Sequence, residues 1–576
     1  MFARVSGLAL VLVAWAWCAI PTPEAHFGHR MGEDRKLVDW ANVVSYFQAL
    51  EKESDRIQVK TLGRSTMGRP FIAAWIASPE TLKDLERYRD IQGRLADPRK
   101  TPEPEAARLA QDGKTVVLIT CSIHSTEVAS TMTAVEFAWR LVTGDQPKFK
   151  TILDNTIFIL VPSLNPDGVD LVAQWYRKTL GTPYEGTSPP ELYHKYVGHD
   201  NNRDWYIFSQ VETRLAIERL HNRWKPQIVY DVHQQGQYGS RMFVPPWLDP
   251  IEPNVDPILI QLCNMIGAGM AADLTAAGKK GISVNAMYDF WTPARHYQAY
   301  HGGLRILSES ASARLASPIT VSPDEIRDSA PGYSPRASSW NHLEPWLGGE
   351  WRLRDIVDYQ LIAWESCLWQ AAVRRPDMLR AFYKVGQRAV ARRSPAAFTI
   401  PKQQSDPAAA RQLLETLAFG QVEVDEGPRE YVVRMQQPYS SWAKTLLERQ
   451  DYPDLRLYPG GPPRRPYDVT AHTLPLLMGV DVKAVDQLDA SGLTRATRFV
   501  FPPARPLAAS DSDTWRAVNR AWRKGASVWR DPQSGDFSTR PLPGWLEKKR
   551  PRIGLYRSHM PQMDEGWTRW ILERFG

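Results

Sequence analysis

Thr115-Val-Val-Leu-Ile-Thr-Cys-Ser-Ile-His-Ser-Thr-Glu127 is the stretch whose reading decides the fold. Thr115 to Cys121 is a short β-branched apolar run, the pattern of a buried strand. His124 and Glu127 follow it at once, three residues apart. At that spacing an imidazole nitrogen and a carboxylate oxygen can reach one small cation, and both are ordinary zinc ligands. The pair alone fits an ion pair at a helix start equally well, so the rest of the chain must supply a third ligand.

Working outward, Ile57-Gln-Val-Lys-Thr-Leu and Phe71-Ile-Ala-Ala-Trp-Ile read as two strands joined by a Gly- and Pro-containing turn, a hairpin at a sheet edge. Val128, Met132, Val135, Trp139 and Val142 make one apolar helical face after the Thr115 strand. Thr156-Ile-Phe-Ile-Leu-Val is another buried strand, ending in Asn165-Pro-Asp-Gly with its strong turn chemistry. Gln227-Ile-Val-Tyr-Asp-Val ends directly at His233, and Leu304-Arg-Ile-Leu-Ser at Glu309. Helical segments between these strands imply an α/β fold with a mixed, largely parallel sheet and helices on both faces. Ligands gather beyond the carboxyl ends of such strands, where His124, Glu127, His233 and Glu309 all fall.

These residues resemble the zinc metallocarboxypeptidase family of the carboxypeptidase A type. The resemblance rests on His124-Ser-Thr-Glu127, Asn165-Pro-Asp-Gly168, Arg177-Lys-Thr, Asp200-Asn-Asn-Arg-Asp-Trp205, His233 and Glu309 in family order, from about Gly63 to Ala313. It implies Zn2+ held by His124, Glu127 and His233, the two-His, one-Glu set of carboxypeptidase A, with a fourth position left open. It implies Glu309 as general base and Arg177 as stabiliser of the oxyanion. Asn202 and Arg203 would hold the substrate's terminal carboxylate, which a planar guanidinium can meet bidentately. Asp200 would orient the first zinc histidine through its other N–H. Plainer readings remain for each: a strand-end carboxylate paired with Arg305 or Arg314, surface arginines, a turn aspartate.

The family also supplies a mobile tyrosine before the catalytic glutamate. Tyr288, Tyr297 and Tyr300 compete for that substrate-binding place, with Tyr288 taken first, and Arg295 could either meet acidic side chains or pack in the core. His194, His199, His296 and His301 show no second metal spacing and read as lining or surface residues.

The remaining features bound the function. The 576 residues, 43% hydrophobic and 23% charged, describe a folded protein without low-complexity tracts. The net charge of +7 comes without a basic run interleaved with aromatics, so no nucleic acid partner is expected. Arg4, the apolar Leu8 to Ile20 and the following Pro21-Thr-Pro-Glu-Ala read as a secretory signal ending near residue 25, giving a secreted or periplasmic protein with no stable membrane span. Cys121, Cys263 and Cys367 would remain, an odd set that implies no disulfide framework. About thirty residues before the hairpin are too few for a folded inhibitory prodomain.

The expected layout is a signal at 1–25, a catalytic domain at 26–390 and a smaller α+β accessory region at 391–545. Residues 546–576, Arg552-Ile-Gly-Leu-Tyr and the helix from Met563, read as an incomplete C-terminal α/β unit with an exposed apolar helix face. In exported relatives of the family that this chain resembles, a glutamine-amidotransferase-like domain follows, so the resemblance implies a truncated unit here, without an amidotransferase cysteine to give it activity. The implied activity is a zinc metallocarboxypeptidase acting on a peptide or protein substrate. A zinc amide hydrolase trimming cell-wall peptides and a catalytically silent peptide-binding protein are the alternatives.

Overall fold

The computed structural model describes residues 20–285, 290–327, 334–466, 471–503 and 505–576. Most of the expected signal, residues 1–19, and Tyr288 lie outside the described residues.

Eight strands form the main sheet: β1 (Ile57–Arg64), β2 (Pro70–Ile76), β3 (Thr115–Thr120), β4 (Thr156–Val161), β5 (Ile228–Gln235), β6 (Met242–Phe243), β7 (Ile282–Ser283) and β8 (Leu304–Ala311). Their spatial order is β1-β2-β4-β3-β5-β8-β6-β7. The four central strands β4, β3, β5 and β8 run parallel, while β1, β2 and the β6 contact with β8 are antiparallel. Every residue of β3 and β4 is buried, as a sheet covered on both faces requires. The expected hairpin stands at one edge, with a register shift between Thr61 and Gly63.

The two faces are covered by different helices. Phe158 of β4 and Tyr230 of β5 point to Phe137 of helix Ala129–Thr143 and Trp364 of helix Leu353–Val373, with ring centroids 6.0 and 6.4 Å apart. Trp75 is in register with Ile159, on the opposite face, and meets Trp224 at 5.9 Å. Helix Pro257–Ala276 is long and apolar enough to cross a membrane by length and composition, a segment the sequence reading passed over. Here it packs on helix Leu353–Val373 and β8, and its Leu259, Cys263, Ile266 and Met270 are buried.

The expected α+β accessory region holds a strand at Glu430–Arg434 in a five-stranded sheet and a helix at Pro407–Phe419. This region is not held apart from the segment that carries the main sheet. Trp442 is fully buried, with its ring 5.0 Å from Tyr297, 5.6 Å from Tyr300 and 5.4 Å from His301. One hydrophobic cluster runs from Met31 to Phe501, and a separate small one, Val518, Val528 and Phe537, supports a three-stranded sheet further on.

Two expectations for the end of the chain need correction. Arg552 to Tyr556 is irregular rather than a strand, and it pairs with no strand among the described residues. The helix Met563–Phe575 is not left without support: it seats on the turn Gly198–Arg203 and on helix Ser512–Arg523, though Ile571 and Leu572 stay exposed.

Where the accessory region meets the segment that carries the main sheet, Glu252 is buried and accepts from Asn254 N at 2.9 Å, Asn254 Nδ2 at 2.8 Å and Thr445 Oγ1 at 3.2 Å. Burial pushes its carboxyl up to about 7 from the ordinary 4.5. The folded state therefore binds this proton more tightly than the unfolded chain, and the stability it contributes is lost as pH rises from 4.5 through about 7. Glu252→Gln should thus gain stability over the native protein between pH 5 and pH 8 by roughly 1–3 kcal/mol. Urea unfolding at both pH values checks this; an equal difference at the two would contradict it.

Candidate metal centre

β3 ends at Thr120, and the chain turns through Ser122, whose φ of 46° is a left-handed value. Ser130 Oγ accepts from Ser122 N at 3.0 Å and fixes this turn. His124 and Glu127 thus lie in the turn, before the helix that starts at Ala129. The Asn165-Pro-Asp-Gly motif braces it from outside. Asn165 Oδ1 accepts from Gly168 N at 3.1 Å as the cap of helix Pro166–Thr179, and Gly168 leaves room that a Cβ, 2.1 Å from Ser125 Oγ, would fill.

His124, Glu127 and His233 come together, all buried, with one ligand atom from each within 4.8 Å of the others. The Glu127 carboxylate bridges the rings: Oε1 is 2.7 Å from His124 Nδ1, and Oε2 is 3.0 Å from His233 Nδ1. Gln234 N donates to the same Oε2 at 3.0 Å. Each ring is held from its far side. His233 Nε2 is 3.0 Å from Asp231 Oδ2, and Asp231 is held by Arg305 Nη2 at 2.6 Å and Thr120 Oγ1 at 3.1 Å. His124 Nε2 is 3.2 Å from the His199 carbonyl oxygen, and the His199 ring stacks on His124 at 3.7 Å. With Nε2–H donating outward on both rings, both Nδ1 lone pairs face Glu127. Two imidazoles and a carboxylate so arranged fit Zn2+.

The electrostatics agree. Burial alone would raise the Glu127 carboxyl, but the two imidazoles outweigh it and draw it down to about 2. Burial drops His124 below the ordinary imidazole value against the pull of Glu127. Burial acts the same way on His233, yet Asp231 and Glu127 carry it well above that value. Asp231, although buried, is held low by His233 and Arg305. Glu309 sits in register with His233 on the neighbouring strand, and burial pushes its carboxyl up to about 8.

Asn202 is buried with Nδ2 3.4 Å from His233 Nε2, and Arg203 Nη1 donates to the Asn202 carbonyl at 3.0 Å. The Arg203 charge reaches His124, whose protonation it opposes. Both are therefore at the cluster.

Arg177 is not. It lies near the far end of helix Pro166–Thr179, eleven residues and roughly 16 Å of helix rise from its start beside the site. Its guanidinium pairs there with Asp39, both partly exposed. Asp200 does not orient His124 either: the His199 carbonyl holds that place, and Asp200 Oδ2 accepts from Trp567 Nε1 at 3.0 Å. Of the competing tyrosines, Tyr297 and Tyr300 are buried against Trp442, and Tyr297 OH donates to Asn222 Oδ1 at 2.5 Å, so packing fixes them. Arg295 is buried beside Asp231 and Arg305 on a cavity of about 10 Å³, away from any open specificity wall.

Asp231 and Tyr193 escaped the sequence reading, and His199, read only as a lining or surface residue, lies against His124. Tyr193 OH is 3.0 Å from His199 Nδ1, and its ring is 6.2 Å from His124. Asp231 had a legible signal, since a residue two before His233 on a strand shares its face; the other two had none.

Residues 43–247, about a third of the chain, match the family model described as zinc carboxypeptidase, so this segment carries the zinc carboxypeptidase pattern. Among solved structures the chain is similar to carboxypeptidase A from Helicoverpa armigera, at 16% identity over 59% of this chain and 74% of that one, with a TM-score of 0.36. It is similar also to a metallo-carboxypeptidase from Burkholderia cenocepacia, at 14% identity over 57% and 67% with a TM-score of 0.31. No curated protein matches the chain.

Replacing Asp231 by Asn should lower zinc affinity roughly 10–100-fold by weakening the hold on His233. Arg177→Ala, which removes only a surface pair, should change it by less than about twofold. Chelator competition measures both, and a large loss in the Arg177 variant would return that residue to the site.

Proposed function

We propose that the protein is a zinc-dependent metallocarboxypeptidase that hydrolyses the last peptide bond of a peptide or protein. The observation that carries this reading is the register of His233 with Glu309: it sets a proton-accepting carboxylate beside a buried His-Glu-His cluster. His124, Glu127 and His233 would hold Zn2+, which when bound makes water acidic near neutral pH and polarises a carbonyl.

Glu309 takes the proton of the attacking water and returns it to the departing amine, so the amide C–N bond breaks into a carboxylate and an amine. Burial raises its affinity for a proton, as taking one from water requires, and a bound dication would lower that affinity, so that the carboxylate is ionised near neutral pH and can release the proton to the amine. Asn202 and Arg203 hold the terminal carboxylate of the substrate, the feature that makes the cut an exopeptidase cut. With Arg177 turned to Asp39, Arg203 is the arginine of the family set that remains beside the cluster. The apolar stretch after Arg4 supports export, which would put the substrate outside the cytoplasm.

Glu309→Gln should keep stoichiometric zinc while losing about 10²–10⁴ in kcat, since the amide preserves shape but accepts no proton. Turnover at the native rate would reduce Glu309 to a structural carboxylate. Matched peptides with free and amidated C-termini should differ roughly 10–100-fold in kcat/KM. Equal cleavage of the two would favour an amide hydrolase of another kind, such as one trimming cell-wall peptides.

A further inference from the structure

The segment from Leu192 to Arg203 is the outer wall of the candidate centre. From its inner side the His199 carbonyl and ring hold His124, Asn201 Nδ2 donates to the Ile123 carbonyl at 2.6 Å, and Asn202 and Arg203 face the cluster. The segment has little regular structure, only a short 3-10 turn at Gly198–Arg203 with Asn202 off helical geometry. Its outer side is held by the helix Met563–Phe575: Asp200 Oδ2 accepts from Trp567 Nε1, 367 residues further along the chain.

The fit between them is close. Gly566 brings helix backbone against the segment, and a Cβ there would stand 1.9 Å from the Tyr196 carbonyl oxygen. Trp567 Nε1 donates to Asp200 Oδ2 at 3.0 Å, Arg569 Nη2 to the Lys195 carbonyl at 2.6 Å, and Tyr196 OH to Glu573 Oε2 at 2.5 Å. At its other end the helix is tied to the accessory region. Asn519 Nδ2 donates to the Phe575 carbonyl and Arg574 Nη2 to Gln412 Oε1, each at 3.0 Å. Asp200 adjoins His199, so the hydrogen bond to Trp567 lies one residue from the group that orients His124.

We propose that Trp567 is a positioning residue: through Asp200 it fixes the Leu192 to Arg203 wall, and so sets how firmly Asn202 and Arg203 capture the substrate's terminal carboxylate. This rests on the carboxypeptidase reading above. The helix is a strap behind the binding wall and touches no reacting atom. Its loss acts on substrate capture more than on bond cleavage, because Glu309, Glu127 and His233 are held from other strands and turns, and His124, though it leans on His199, keeps its own turn through Ser122 and Ser130 and its contact with Glu127.

The test uses the full chain loaded with zinc. Trp567→Phe keeps the ring and removes the donor; it should raise KM about tenfold, with kcat changed by less than about threefold and zinc stoichiometry intact. Asp200→Ala should do the same, Asp200→Asn, which keeps an acceptor, should restore most of the affinity, and the Trp567→Phe, Asp200→Ala pair should cost no more than either alone. Gly566→Ala should act in the same direction by forcing the helix off the Tyr196 carbonyl. Backbone hydrogen exchange supplies a readout independent of turnover: amides of 192–203 should exchange faster in Trp567→Phe, while those of β3 and β5 stay protected. Native exchange in 192–203 or an unchanged KM would overturn the inference. A native enzyme inactive on every peptide would strike the functional reading instead, and exchange would then decide this one by itself.

Discussion

The structure turns on one buried carboxylate. Glu127 lies between the Nδ1 atoms of His124 and His233, and those three side chains arrive from a turn after β3 and from the end of β5. A carboxylate in such a place is costly unless it is paired, and here the Gln234 amide donates to it while the two Nδ1 atoms stand where a cation shared with the carboxylate would pair it. The pairing also demands that β3 and β5 be neighbours in register, so the parallel centre of the sheet and the chemistry above it are the same constraint. Around this centre a second tier carries charge outward, from His233 to Asp231 to Arg305, and each member is buried. That chain holds the ring of His233 in one orientation without help from solvent.

Much of this was legible in the amino acids. Residues 115–121 and 156–161 are apolar and β-branched because both faces of those strands are covered, and His124, Glu127, His233 and Glu309 follow strand ends where parallel sheets collect ligands. The residues that misled did so for a shared reason: a motif gives order along the chain but not direction in space. Arg177 follows a motif that does brace the site, yet an unbroken helix from Pro166 to Thr179 carries it away to Asp39. Asp200 occupies the right place in its motif, but its carboxylate turns outward to a tryptophan 367 residues distant, a partner no local pattern could announce. His199 was dismissed for want of metal spacing, and its contribution is a carbonyl and a stacked ring, which no spacing encodes.

The accessory region takes on a physical role in this light. Trp442 fills the space beneath Tyr297, Tyr300 and His301, the turn that precedes β8, and Glu252 ties the same interface through Thr445. The strand that delivers Glu309 is thus buttressed by residues more than a hundred positions further along. Together with the helix Met563–Phe575 on the opposite wall, this makes the candidate centre depend on chain well beyond the part that carries the zinc carboxypeptidase pattern.

The central claim is that His124, Glu127 and His233 form one metal site. An anomalous difference map recorded across the zinc absorption edge, on crystals grown from protein loaded with one equivalent of zinc, tests it most directly. The account predicts a single strong peak bounded by the two Nδ1 atoms and the Glu127 carboxylate. No peak there, or zinc bound only elsewhere on the chain, would contradict it.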